Sequence, residues 1–394
     1  MPNEASTPKT HQKHAALVRS VAGEFGRHEL AILGAPCGVI KNLAARLLPL
    51  LTPQLRVAYV DADHAFGDAA EAGNGATESM LEHGASAELT DKIQFRRLDV
   101  RRGMDKFAQQ QWLADQSLVL VNGNHFRARQ QVAIISAQKP LEKKLDRLTD
   151  VQLILLADDQ AELPAYLRAH LPAPEAVTVL RLADTNAIAA WVQQWWQQNL
   201  PPLRGLVLTG GHSQRMQQDK SRLRYHQHEQ QAHAAALLAP FCQDVLISCR
   251  PDQVATVPAG LTALPDQFLD LGPMSGILTA FRHDPNAAWL VVACDLPFLS
   301  ETTLRHLVEQ RRADRVATAF QSPANEFPEP LITIWEPRSY GVLLQFLAAG
   351  YSCPRKALIN SDVEVLLPPA PRELRNVNTP EERDAAQQEL ESGI

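Results

Sequence analysis

The chain has 394 residues, 45% of them hydrophobic and 21% charged, with a formal net charge of -6 and a pI near 6.1. That size and balance imply a folded protein of two or three domains and argue against a general nucleic-acid binder. The five cysteines (Cys37, Cys242, Cys249, Cys294, Cys353) are scattered, with no zinc or redox spacing, so reduced thiols in a cytoplasmic protein are expected.

The polar start MPNEASTPKTHQKHAALVR has no apolar centre, so no signal peptide is expected. Apolar runs are strand-sized, and no segment is long enough to span a membrane. Predicted strands in the first half are 29–34, 55–63, 93–100, 117–123, 151–157 and 177–182, with a helical pattern over KNLAARLLPLL, 41–51. AIAAWVQQWWQQNL (187–200) reads as a helix with a tryptophan stripe, expected to pack on its own domain. Pro201-Pro202 then break the pattern. Predicted strands of the second half are 205–210, 244–249, 289–295 and 331–335. Strand–helix alternation implies an α/β protein with mostly parallel sheets. The expectation is two doubly wound domains, residues 1–199 and 203–394.

LVLTGGHSQRMQQDKS (206–221) is a buried strand, a glycine pair and a charged loop. Glycines at a strand tip let the backbone approach a ligand, and loop amides can face phosphate oxygens. Arg215 and Lys220 add positive charge within the same loop. The glycine spacing fits neither a Walker A loop nor a dinucleotide fingerprint. LPDQFLDLGPMSGI (264–277) carries Asp266, Gly272 and Gly276, and WLVVACDLPFL (289–299) ends a strand in Asp295. A carboxylate at such a tip faces the ligand crevice of an open α/β sheet and suits magnesium.

In this order, and followed by NVNTPEE (376–382), these segments resemble the molybdenum cofactor guanylyltransferase family. Its pattern Leu-Ala-Gly-Gly-x-Ser-x-Arg-Met-Gly-x-Asp-Lys is matched at Leu208, Gly210, Gly211, Ser213, Arg215, Met216, Asp219 and Lys220. Thr209 replaces its alanine and Gln217 its glycine. The resemblance covers about residues 203–390. It implies a Rossmann-like nucleotidyltransferase domain that transfers GMP from GTP to Mo-molybdopterin and releases pyrophosphate. It further implies that Arg215, Lys220 and Asp295 are catalytic, with Asp295 on Mg2+. Leu208, Gly210, Gly211, Ser213, Asp266, Gly272, Asn376 and Asn378 would bind the substrates. Asn376 and Asn378 also read as turn residues before a helix starting at Thr379-Pro380. Arg250, Arg355 and Lys356 read as solvated surface residues. Cytidylyl transfer, transfer to a sugar phosphate, and a non-catalytic delivery protein remain open alternatives.

ELAILGAPCGVIKNLAARLLPLL (29–51) reads as strand, glycine loop and helix. Three residues separate Gly34 from Gly38, Lys41 lies three further on, and Asn42 stands where a Walker A loop has Ser or Thr. With Asp61, Asp63, Asn122 and Asn124 at later strand tips, residues 28–160 resemble the molybdopterin-guanine dinucleotide biosynthesis adaptor. A degenerate P-loop-like three-layer domain without GTP hydrolysis is implied. By default, Asp61 and Asp63 read as strand-end turn residues. The partners implied are GTP, molybdopterin, cofactor-biosynthesis proteins and client molybdoenzymes, with neither nucleic acid nor membrane.

Overall fold

Apolar runs that are too short to be helices build two separate sheets. The computed structural model describes residues 26–61, 83, 85–91, 94–100, 111–209, 223, 225 and 228–392. In the first half, strands β1 (His28–Leu33), β2 (Val57–Val60), β3 (Ala87–Asp91), β4 (Arg96–Val100), β5 (Leu118–Asn122), β6 (Gln130–Ile135), β7 (Val151–Leu156) and β8 (Thr178–Arg181) alternate with helices α1 (Cys37–Leu51), α2 (Ala165–His170) and α3 (Thr185–Gln198). Six of the strands form an all-parallel sheet in the order β2-β5-β1-β6-β7-β8.

The predicted strand at 93–100 does not join that sheet. Its β4 segment pairs antiparallel with β3 as a separate ribbon, and Phe95 and Leu98 stay exposed. Strand β6 was not predicted. Its fully buried QQVAII run opens on two glutamines, which leaves only four apolar residues in a row to mark it.

Helix α1 buries Ile40, Leu43, Ala44, Leu47 and Leu51, spaced at three or four residues, on the same core as α3. Asp184 caps α3 by accepting from the Ala187 amide at 3.0 Å. Trp195 and Trp196 are buried in that core, and Trp191 stacks on Trp195 at 6.1 Å. The tryptophan stripe therefore packs inward, as expected.

The second sheet holds β9 (Leu203–Leu208), β10 (Val245–Cys249), β11 (Thr262–Pro265), β12 (Ala288–Ala293), β13 (Ala317–Gln321), β14 (Pro328–Trp335) and β15 (Val363–Leu366). Its order is β11-β10-β9-β12-β14-β13-β15. Strand β14 runs antiparallel to both neighbours; the other pairings are parallel. Helices α4 (Gln230–Leu238), α5 (Pro273–His283), α6 (Glu301–Glu309), α7 (Ser339–Ala348), α8 (Pro354–Ile359) and α9 (Pro380–Ser392) accompany it. Two apolar clusters, one on each side, fill the space between strands and helices.

The halves touch through two arginines, Arg338 buried and Arg311 half-buried. Arg311 forms a two-pronged pair with Glu336 at 2.7 and 2.9 Å and donates to the Pro201 carbonyl at 3.1 Å. Arg338 donates to the carbonyls of Asp115, Asp314 and Ala313 at 2.6, 3.2 and 3.2 Å. The Pro201-Pro202 link is thereby held, and the Pro202 carbonyl accepts from Ala288 at the start of β12. Among the described residues no helix is long and apolar enough to cross a membrane.

Candidate functional site

The crevice at the C-terminal tips of the parallel strands gathers the predicted carboxylates around the end of β9. Strand β9 lies between β10 and β12. Asp266 follows β11 and Asp295 follows β12, three strand positions apart, or about 14 Å at the usual strand spacing. The glycine loop leaves from between them. Gly210, Gly211, Ser213, Arg215, Gln217 and Lys220 lie outside the described residues.

The base of that loop is well defined. Thr209 donates from both its amide and its hydroxyl to the Ser248 carbonyl, at 3.0 and 2.7 Å. The Leu208 carbonyl accepts from the Cys294 amide at 3.2 Å. The threonine that departs from the family pattern therefore ties the end of β9 to β10 through a bond that alanine lacks.

Asp266 is buried, and its carboxylate accepts from the Ser248 hydroxyl at 2.8 Å. Burial pushes its pKa up to about 6, against the lowering effect of that hydroxyl. Gly276 makes the arrangement possible. A Cβ there would meet Ser248 Oγ at 2.3 Å and Leu208 Cδ2 at 2.6 Å. Gly272 turns the chain into α5 at φ +59 and ψ -138, a region open to glycine, with Pro273 at the first helical position.

Asp295 sits in the turn after β12, half-buried. Its carbonyl accepts from the Val377 amide at 2.9 Å, which places Asn376 and Asn378 beside it in the chain. Thr379 caps the helix that follows. The Glu382 carboxylate accepts from the Thr379 amide at 3.2 Å, and Thr379 Oγ1 accepts from the Glu382 amide at 3.2 Å, a capping box. The Glu382 carboxylate also accepts from the Asn378 amide at 2.6 Å, so Asn378 takes part in the turn before the helix.

Two residues at this site went unnoticed in the sequence. Glu329, on β14, is buried and pairs with Arg355 at 2.8 Å. Burial raises its carboxyl above the usual range, the Arg355 guanidinium opposes that, and the Asp295 charge adds to it. Tyr225 is buried, and its phenol is pushed up to about 12, first by burial; Arg383 opposes the shift and the Asp295 charge adds to it. Neither residue belongs to a motif, so only the approach of distant segments exposes them. Arg355 is therefore an ion-pair partner rather than a solvated helix start. Arg250 pairs with Asp252 at 2.8 Å, and Lys356 lies 4.8 Å from the Tyr351 ring centre.

In the first half, Gly34 adopts φ +97, and a Cβ there would lie 2.1 Å from the Ile134 carbonyl oxygen. Lys41 and Asn42 are exposed on α1. Asp61 accepts from the Tyr59 hydroxyl and from Asn122, both at 2.7 Å. Asp63 lies outside the described residues.

Comparison with known proteins agrees with this geometry. Residues 205–364 match the MobA-like NTP transferase domain. A molybdenum cofactor guanylyltransferase of Pseudomonas putida is 31% identical over 189 residues, which are 46% of this chain and 96% of that one. The chain belongs to the molybdenum cofactor guanylyltransferase family. A molybdenum cofactor biosynthesis bifunctional protein of Synechocystis is 37% identical over 182 residues, covering 46% of this chain and about half, 52%, of that relative's length. The crystal structure of a molybdopterin-guanine biosynthesis protein B aligns with 43% of this chain and 99% of its own, at 18% identity and a TM-score of 0.31. The chain is thus a nucleotidyltransferase-family protein of molybdenum cofactor biosynthesis.

Proposed function

We propose that this protein transfers GMP from GTP to the terminal phosphate of Mo-molybdopterin, releasing pyrophosphate, in the cytoplasm. Residues 203–394 form the transferase domain, and residues 1–199 form an adaptor-like domain that does not hydrolyse GTP. The observation that carries the reading is the flanking of the β9 tip by Asp266 on one side and by Asp295 with its Val377 contact on the other.

The donor set suits magnesium. Among the described residues no three His, Cys, Asp or Glu side chains gather as a metal cage. Magnesium held by one or two carboxylates, phosphate oxygens and water needs none. Asp295 would hold it, and the bound ion would neutralise charge on the α-phosphate and the leaving pyrophosphate.

The chain's own residues position the reactants. The amides of Gly210 and Gly211, with Arg215 and Lys220, cradle the triphosphate, and Leu208 and Ser213 border that cradle. Asp266 and Gly272 face the guanine and ribose side, and Asn376 and Asn378 the pterin side. Molybdopterin phosphate is already anionic near neutral pH, so positioning and charge neutralisation suffice without a dedicated base. Protein partners are other cofactor-biosynthesis proteins and client molybdoenzymes, and fusion keeps the adaptor-like half close to the transferase site.

The test is pyrophosphate release from GTP by the purified chain with magnesium, with and without Mo-molybdopterin, and with CTP as control. Release that requires both GTP and the pterin supports the proposal. Equal turnover of CTP moves it to cytidylyl transfer, and nucleotide binding without release moves it to delivery.

A further inference from the structure

A second cluster of reactive groups lies in the first half, at the C-terminal tips of β1, β2 and β5. Cys37 Sγ stands 3.2 Å from His125 Nε2 and 3.4 Å from Asn124 Nδ2. The same imidazole nitrogen is 3.7 Å from Asp61 Oδ1. The cluster is braced from behind. Asp61 accepts from Tyr59 and from the fully buried Asn122. Asn124 donates its side-chain amide to the Ala35 carbonyl at 2.9 Å and its backbone amide to Asn122 Oδ1 at 3.1 Å.

Beside the Asp61 carboxylate, two cations are held against the backbone of the cluster. Lys139 donates to the Ala35 carbonyl at 3.2 Å, and Arg147 to the Asn124 carbonyl at 3.3 Å. Cys37 opens the 15-residue helix α1, and no side chain caps that helix. A nucleophile within hydrogen-bond reach of a base, itself beside a third polar group, is the arrangement of an assisted nucleophile. Partial exposure and nearby positive charge are the setting of reactive cysteines, and Cys37 is only half-buried.

The other four cysteines differ. Burial is the first cause pushing the Cys242 thiol up to about 12 and the Cys249 thiol up to about 11. Cys294 is buried, and Cys353 is exposed. All four lie in the second half of the chain, so none is a sequence neighbour that could resolve a bond formed at Cys37.

We propose that Cys37 and His125 form a thiol site that accepts sulfur from a low-molecular-weight disulfide. His125 Nε2 takes the thiol proton as Cys37 Sγ attacks one sulfur. The S–S bond of the small molecule breaks, a new bond to Cys37 Sγ forms, and the leaving thiolate takes the proton from His125. A thiol and a disulfide thus become a mixed disulfide and a thiol, with no other oxidant. The Asn124 amide donates to the sulfur as negative charge develops on it. The adduct stands over the start of α1, in the crevice beyond the β1 tip, and added dithiol reverses the reaction.

The experiment treats the full chain with oxidised glutathione, and separately with iodoacetamide, and follows each cysteine by mass spectrometry. Cys37 is expected to react at least about ten-fold faster than exposed Cys353, with dithiothreitol removing the glutathione adduct. His125→Asn slows Cys37 by about ten-fold or more, as loss of an assisting base should, and leaves the Cys353 rate unchanged. Cys353 reacting as fast as Cys37, or an unchanged Cys37 rate in the histidine variant, overturns the proposal. If that variant does not fold, the ratio of the two rates within the unaltered chain decides alone.

Discussion

The amide of Val377 donates to the carbonyl oxygen of Asp295 across 82 residues of chain, at 2.9 Å. That bond brings the carboxylate after β12 and the NVNTPEE segment to one place. Asp295→Asn keeps the backbone contact and removes the charge. Pyrophosphate release from GTP should fall by about 100-fold or more, while the melting temperature stays within a few degrees. Parent-level turnover in this variant would remove Asp295 from the metal role.

Gly276 and Gly341 make opposite predictions for one substitution. Gly276→Ala drives a methyl into Ser248 Oγ and Leu208 and should destabilise by about 1–3 kcal/mol, weakening nucleotide binding by displacing Ser248 from Asp266. Gly341 lies inside α7 with no atom near an added Cβ, so Gly341→Ala should stabilise by up to about 1 kcal/mol. Urea unfolding of the two variants checks both signs.

Buried Asp266 and His28 pull in opposite directions with pH. Asp266 is raised from 3.8 to about 6 by burial, so the folded state holds its proton longer. Stability from this group falls as pH rises through that window, and the whole cost is present above about pH 6. Asp266→Asn should therefore stabilise at pH 7.5 by on the order of 3 kcal/mol and change little at pH 3.5. Burial lowers His28 from 6.5 to about 4. The unfolded chain then binds the extra proton, and stability is lost as pH falls from about 6.5 to 4. His28→Gln should remove that acid loss. Denaturant midpoints of both variants at pH 3.5, 5 and 7.5 separate the two groups.

Arg338 holds three carbonyls from both halves of the chain. Burial lowers its guanidinium pKa below the usual value. Arg338→Met leaves those acceptors unsatisfied and should cost about 2–4 kcal/mol. The loss should appear as separate unfolding of the two halves by calorimetry; a single undiminished transition would show that the contact contributes nothing.

Much of the architecture follows from the sequence alone, because buried parallel strands are unbroken apolar runs between turn residues. GLVLTG, WLVVACD and VQLILLA are of this kind. So are the tryptophan stripe, whose helical spacing requires a covered face, and Asp266 and Asp295, which end apolar runs and so had to lie at strand tips. What the sequence lacks is any mark of which strands become neighbours and in which direction. That is set by how the sheets pack. Only the tertiary structure separates β3 and β4 from the parallel sheet and turns β14 antiparallel, since an apolar run reads alike in either direction. It alone brings Glu329 and Tyr225 into the field of Asp295, and His125 onto Cys37 across 88 residues. Side chains far apart in the chain meet only where packing closes the fold, and local residue patterns carry no record of that closure.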